Sequence, residues 1–118
     1  MKKILITGMS GLIGGVLRRY LEDLGGYELS ALNRSKVDGV TSFLADIADL
    51  DPIKPAFVGQ DVVVHMAASL ETQSWKPQLN ANIIGTYNVY EAARLAGVSR
   101  VVFASSGAAI RGMDAVAP

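Results

Sequence analysis

The chain has 118 residues, half of them hydrophobic, and its eleven basic and eleven acidic residues balance to a formal charge of zero. That length is one domain, residues 1–118, able to bury about two-thirds of its unfolded surface in a single core. Charges scattered singly argue against a nucleic acid or an anionic membrane as partner and leave a small molecule. With no cysteine and one histidine, disulfides, thiolate chemistry and Cys or His metal clusters are excluded, and a cytoplasmic setting is expected.

Met1-Lys2-Lys3 followed by an apolar segment to Leu17 has the outline of a secretion signal. The four glycines within it, Arg18-Arg19 directly after it and the lack of a small-x-small cleavage site there point instead to a strand and a helix. The segment is also too short to span a bilayer. The first strand is expected over Lys3–Thr7 and the first helix over Leu12–Leu24, stopped by Gly25-Gly26. Between them runs Thr7-Gly8-Met9-Ser10-Gly11-Leu12-Ile13-Gly14-Gly15. A buried strand that passes through glycines straight into a helix aims free backbone N–H groups and the positive helix end at one point, which suits a phosphate. Gly8 and Gly11 allow the turn and a close approach to a pyrophosphate, and Gly14 lets the helix pack tightly on the strand. The spacing is G-x-x-G-x-x-G, one residue longer at its first step than the usual dinucleotide fingerprint. The competing reading is a plain glycine-rich strand-to-helix turn that binds nothing.

A second strand is expected over Tyr27–Leu32, a polar turn over Asn33–Gly39, and a third strand over Val40–Ala45 leading to Asp46-Ile47. Asp49–Phe57 reads as a short helix with Asp49 or Asp51 as cap and Pro52 near its first turn. Asp61–Ala68 is a β-branched run with almost no alternation, as in a strand buried on both faces of a parallel sheet. A polar loop with Trp75 leads to a long helix over Pro77–Ala96, ended by Gly97, and Arg100–Ser105 is the fifth strand. Strands alternating with helices specify an α/β fold, a doubly wound parallel sheet of Rossmann type ordered 3-2-1-4-5. On the long helix Asn82, Gly85, Val89, Ala92 and Ala96 form a small face fit to lie against the sheet. Leu79, Ile83, Tyr87 and Tyr90 form a bulkier one that needs cover from a later helix or another subunit.

Three stretches, TGMSGLIGG, the HMAA end of the fourth strand and NIIGTYNVYEAARLAGVSRVVFASSG, together resemble the extended short-chain dehydrogenase/reductase family, of the NAD-dependent epimerase/dehydratase type. Within it the last stretch looks most like uronate dehydrogenases and their close relatives. The resemblance covers essentially the whole chain. It implies that Gly8, Ser10, Gly11, Leu12, Ile13 and Gly14 surround the cofactor pyrophosphate, that Asp46 and Ile47 lie beside the adenine, and that Met66, Ala67 and Ala68 pass the nicotinamide ribose. Asp46 as a cap and HMAA as ordinary strand packing are the plainer alternatives. His65 is expected to be a packed residue at the strand end. Asn82 matches a family asparagine whose amide holds a backbone segment or a structural water beside the active site.

Ser105 and Ser106 close the fifth strand where the family places the serine or threonine that hydrogen-bonds the substrate. Counting back from Gly112, which resembles the end of the family's SSS-x-x-V-Y-G run, the usual hydroxyl position is held by Gly107. Ser106 can substitute only if the turn is shifted by a residue, and the alternative is that both serines cap the strand or touch cofactor. Enzymes of this fold that prefer NAD place an acid about twenty residues after the glycines, and NADP enzymes offer an arginine. Asn33-Arg34 at that place leans the NAD(P) preference to NADP, against the alternative that Arg34 and Lys36 are solvated loop charges.

Catalysis in the family also needs a tyrosine acid/base and a lysine four residues later. Tyr20, Tyr27, Tyr87 and Tyr90 are followed at that distance by Leu24, Ala31, Glu91 and Arg94, and the chain stops at Pro118. The implied function is the NAD(P)-binding portion of an oxidoreductase or epimerase that acts by hydride transfer on a sugar or sugar acid, lacking its catalytic pair in this chain. A non-catalytic dinucleotide-binding or sensor module, and a half-domain that assembles with a second copy or a partner half, are the alternatives.

Overall fold

A computed structural model describes residues 1–71 and 73–111. Gly112 and Pro118, which entered the sequence argument, lie outside the described residues. Five parallel strands form one sheet: β1 Lys2–Thr7, β2 Tyr27–Asn33, β3 Thr41–Leu44, β4 Val62–His65 and β5 Arg100–Phe103. Their order is β3-β2-β1-β4-β5, as expected. β1 is central: Ile4 stands opposite Leu29 on one side and Val62 on the other.

Helix α1 (Leu12–Leu24) covers one face of the sheet and α2 (Leu50–Phe57) and α4 (Gly85–Ala96) cover the other. The alternation along β1 serves both. Ile4 and Ile6 join Ala31, Met9 and Val37 beneath Leu17 and Leu21 of α1, while Leu5 joins Leu32, Val63, Phe57 and Val89 beneath α2 and α4. Helix α1 stops where expected, at Gly25, whose φ of 72° is left-handed and whose N–H donates to the Leu21 carbonyl. Helix α2 begins after Asp49, but no side chain caps it. Asp51 instead pairs with Lys54 on the exposed surface.

Two expectations need correction. β4 is fully buried on one face only: Val63 and His65 are sealed under α4, whereas Val62 and Val64 are half-buried. The cause is positional, because α1 lies over β1 and β2 and leaves the flank of β4 and β5 thinly covered, so that Val102 is 47% exposed. The long helix is not uniformly α-helical either. It starts as α3 (Trp75–Gln78), widens into a π-helical stretch over Leu79–Ile84, where the Gly85 N–H reaches the Asn80 carbonyl, and returns to regular geometry as α4. Its faces divide as expected. Gly85, Val89 and Ala92 are buried, and Ile83, Tyr87 and Tyr90 are exposed. Among the described residues no helix is long and apolar enough to cross a membrane.

Candidate functional site

The glycine turn joins β1 to α1 at the carboxyl edge of the sheet. Gly8 has φ of 73°, a conformation that side chains resist, and a Cβ there would stand 2.8 Å from the Ala67 nitrogen. A Cβ on Gly14 would drive into the Gly8 carbonyl oxygen and stand 2.7 Å from Met9 Cα. Both glycines are therefore required by close backbone approach. Within the turn the Gly11 N–H donates to the Gly8 carbonyl, and the Met9 N–H donates to Asn33 Oδ1 at 3.0 Å. Leu12 and Ile13 open the helix with exposed side chains, 87% and 69%, and first-turn amides have no carbonyl of their own helix to bond. Ser10 and Gly11 are exposed as well. The first-turn amides of a thirteen-residue helix and its positive end lie at this exposed turn, and an anion is their natural complement.

Two arms flank the turn. On one side β2 ends in Asn33, only 6% exposed and held to Met9, followed by exposed Arg34. Among the described residues no carboxylate pairs with Arg34. The loop beyond is braced: the Arg18 guanidinium donates to the Asp38 carbonyl at 2.7 Å, and the Ser42 hydroxyl accepts from the Val37 N–H and donates to the Val37 carbonyl.

On the other side β4 ends at His65, and Met66, Ala67 and Ala68 turn across the end of β1. Thr7 Oγ1 accepts from both the Met66 and the Ala67 N–H groups at 3.0 Å, and lies 2.7 Å from His65 Nδ1. His65 Nε2 lies 3.2 Å from Thr86 Oγ1 at the start of α4, and the ring stacks on Phe103 at 5.5 Å. Burial pushes the imidazole pKa down to about 4, so the ring is neutral near pH 7.

Farther along the same edge Asn82, in the π-helical stretch, accepts from the Ser69 N–H at 2.8 Å and donates to the Ser69 carbonyl at 3.0 Å. Its amide thus holds a backbone segment. Asn82→Ala is expected to lower stability in urea unfolding by about 1–2 kcal/mol, with the loss of protection concentrated around Ser69 in hydrogen exchange. Asp46 is exposed and closes its own turn, accepting from the Ala48 N–H through Oδ1. Ile47 is buried, and its carbonyl accepts from Asn88 Nδ2 at 2.8 Å. Ser105 is exposed, and Ser106 Oγ accepts from the Ala108 N–H, which caps the short 3₁₀ turn over Gly107–Ala109.

The structure therefore gathers Gly8, Ser10, Gly11, Leu12, Ile13, Gly14, Asn33, Arg34, Met66 and Ala67 around one turn. Ala68 follows on the same segment, while Asp46 with Ile47 and Ser105 with Ser106 lie on separate loops and Asn82 lies in the π-helical stretch before α4. Sequence reasoning missed Thr7, Thr86 and Asn88, three polar residues whose partners are at least 21 residues away. Their one sequence signal is a polar side chain inside an apolar stretch.

Residues 4–116 match the model of the NAD dependent epimerase/dehydratase family. The chain is 37% identical over 107 residues to L-arabinose 1-dehydrogenase (NAD(P)(+)) of Haloferax volcanii and 37% identical over 111 residues to uronate dehydrogenase of Agrobacterium fabrum. Each match covers 90% of this chain but only 41% of the relative, so the chain spans about two-fifths of the length of these curated relatives. A crystal structure of a mutant uronate dehydrogenase from Agrobacterium tumefaciens complexed with NAD superposes with a TM-score of 0.80 at 36% identity, over 90% of this chain and 41% of that one. With the glycine turn, the strand order and the match over nearly its whole length in agreement, this chain belongs to the NAD dependent epimerase/dehydratase family.

Proposed function

We propose that this chain is the NAD(P)-binding portion of an oxidoreductase or epimerase that moves a hydride to or from a sugar or sugar acid. The observation that carries the reading is the cradle at Gly8 and Gly14, where backbone fills the space that any side chain would need and leaves the amides at the start of α1 open. Ser10, Gly11, Leu12 and Ile13 would hold the pyrophosphate, Asp46 and Ile47 the adenine end, and Met66, Ala67 and Ala68 the nicotinamide ribose. Asn82 would act by fixing Ser69 beside the cofactor. When bound, the cofactor would donate or accept the hydride. Ser105 and Ser106 are proposed to contact substrate, Ser106 giving up its bond to the Ala108 amide to do so. No tyrosine in these 118 residues has a lysine four positions on, so the proposal assigns no acid/base residue; a cytoplasmic setting fits a cysteine-free chain.

NADP is the proposed preference. Asn33 Oδ1 is committed to the Met9 amide, so what Asn33 offers a ribose is the donor Nδ2, and the exposed Arg34 follows it in the chain. A donor and a cation suit a 2′-phosphate, where a carboxylate would repel it. Titration of the purified chain with NADPH and NADH, followed by cofactor fluorescence, tests both statements. Saturable binding that Gly11→Asp abolishes is expected, with NADPH the tighter ligand and Asn33→Asp reversing the order. A folded chain that binds neither overturns the proposal.

A further inference from the structure

Thr7 Oγ1 is fully committed. A hydroxyl has one proton and two lone pairs, and both lone pairs take backbone amides, that of Ala67 and that of Met66, which is shared with the Thr7 carbonyl at 3.2 Å. Its proton has one remaining partner, His65 Nδ1 at 2.7 Å. Nδ1 is then the acceptor and the ring's proton sits on Nε2, where it is donated to Thr86 Oγ1. The bonds run in one direction, from the Met66 and Ala67 amides through Thr7 and His65 to α4. Their origin matters for the site, because the Ala67 nitrogen is the atom against which Gly8 is pressed.

We infer that His65 is a positioning residue of the dinucleotide site: by taking the Thr7 proton it fixes the hydroxyl that holds Met66 and Ala67 against the glycine turn. The inference rests on the proposed cofactor site for its consequence, but its structural half stands without a ligand. With His65 replaced by a group that cannot accept, the Thr7 proton must find another acceptor, and the hydroxyl turns away from one of the two amides. Phe103 and the rest of the packing around the ring are untouched by that change.

His65→Phe keeps an aromatic ring on Phe103 and removes the acceptor; His65→Asn restores an oxygen at the place of Nδ1. In the wild-type chain the long-range ¹H–¹⁵N spectrum of the imidazole is expected to show an unprotonated Nδ1 and a protonated Nε2. His65→Phe is expected to weaken cofactor binding by about tenfold and to speed hydrogen exchange by a similar factor at the Ala67 amide, with less effect at Met66, whose N–H also reaches the Thr7 carbonyl, and with His65→Asn recovering both. A proton on Nδ1, or a folded His65→Phe chain with wild-type exchange at both amides, overturns the inference. If the wild-type chain binds no cofactor, the proposed function fails while amide exchange still decides the role of His65. If His65→Phe does not fold, His65→Asn carries the test, and exchange faster than wild type at Met66 and Ala67 counts against it.

Discussion

Gly14→Ala and Gly15→Ala are expected to change stability in opposite directions, although the two residues are neighbours on the same helix. Alanine is favoured over glycine in a helix interior by about 1 kcal/mol, and at Gly15 nothing opposes that gain. A Cβ there would meet only the far end of the Arg19 side chain at 3.9 Å. At Gly14 the same methyl group would overlap the Gly8 carbonyl and lie 2.7 Å from Met9 Cα, and both obstacles are backbone. Forcing α1 away from the turn is expected to cost about 2 kcal/mol or more after the propensity gain is subtracted. It also pulls the helix end away from the proposed pyrophosphate site. Urea unfolding of the two variants measures the first effect and NADPH titration the second. A Gly14→Ala chain as stable as Gly15→Ala and with unchanged affinity would show that the turn is not packed as described.

A second large effect is expected from acid. The His65 imidazole has a pKa of about 4 in the folded chain, lowered by burial from the ordinary value near 6.5. Between those values the unfolded chain binds a proton that the folded chain refuses. The stability that His65 contributes is therefore complete above pH 6.5 and is lost as pH falls. The loss is about 1.4 kcal/mol per pH unit, about 2 kcal/mol by pH 5 and about 3 kcal/mol by pH 4. His65 is the chain's one histidine, and the groups in direct contact with its ring, Thr7, Thr86 and Phe103, do not titrate in this range. Urea midpoints at pH 7 and pH 5 should fall in the wild type and fall much less in His65→Asn. Equal falls in the two proteins would assign the acid sensitivity to carboxylates and refute the claim.

Much of this was legible in the sequence, for identifiable reasons. Gly8 and Gly14 mark the turn because a side chain at either would collide with backbone, whereas Gly11, at φ of -73°, is in a conformation any residue adopts; the apolar runs at Ile4–Ile6 and Val62–Val64 mark central strands. The two faces of α4 followed from size alone, since Gly85, Val89 and Ala92 leave room for a sheet and Tyr87 and Tyr90 do not. What escaped depends on contacts between distant segments. The π-helical stretch lies where Asn82 reaches out to Ser69, thirteen residues back, and no local propensity encodes it. The half-exposed face of β4 reflects where α1 happens to lie over the sheet. Asn33 was read as a cofactor residue, and its placement adds a second task, because it also anchors Met9. Thr7 reads as an ordinary β-branched strand residue until the Met66 and Ala67 amides, 59 and 60 residues away, are seen to share its oxygen.

The central place of β1 also sets the order in which the molecule can be assembled as it is made. The β1–α1–β2 unit closes within the first 33 residues, but the other side of β1 pairs only with residues 62–65. At synthesis rates of about 5–20 residues per second that interval lasts about 2–6 s. Throughout it, one edge of β1 carries unpaired backbone donors and acceptors beside the apolar Ile4-Leu5-Ile6 segment. That edge is where a newborn chain is open to chaperones or to strand addition from a neighbour. Slower translation during the interval when residues 1–33 have left the ribosome and residues 62–65 are still inside it is accordingly expected to raise aggregation, whereas pauses after residues 62–65 have emerged leave the yield unchanged.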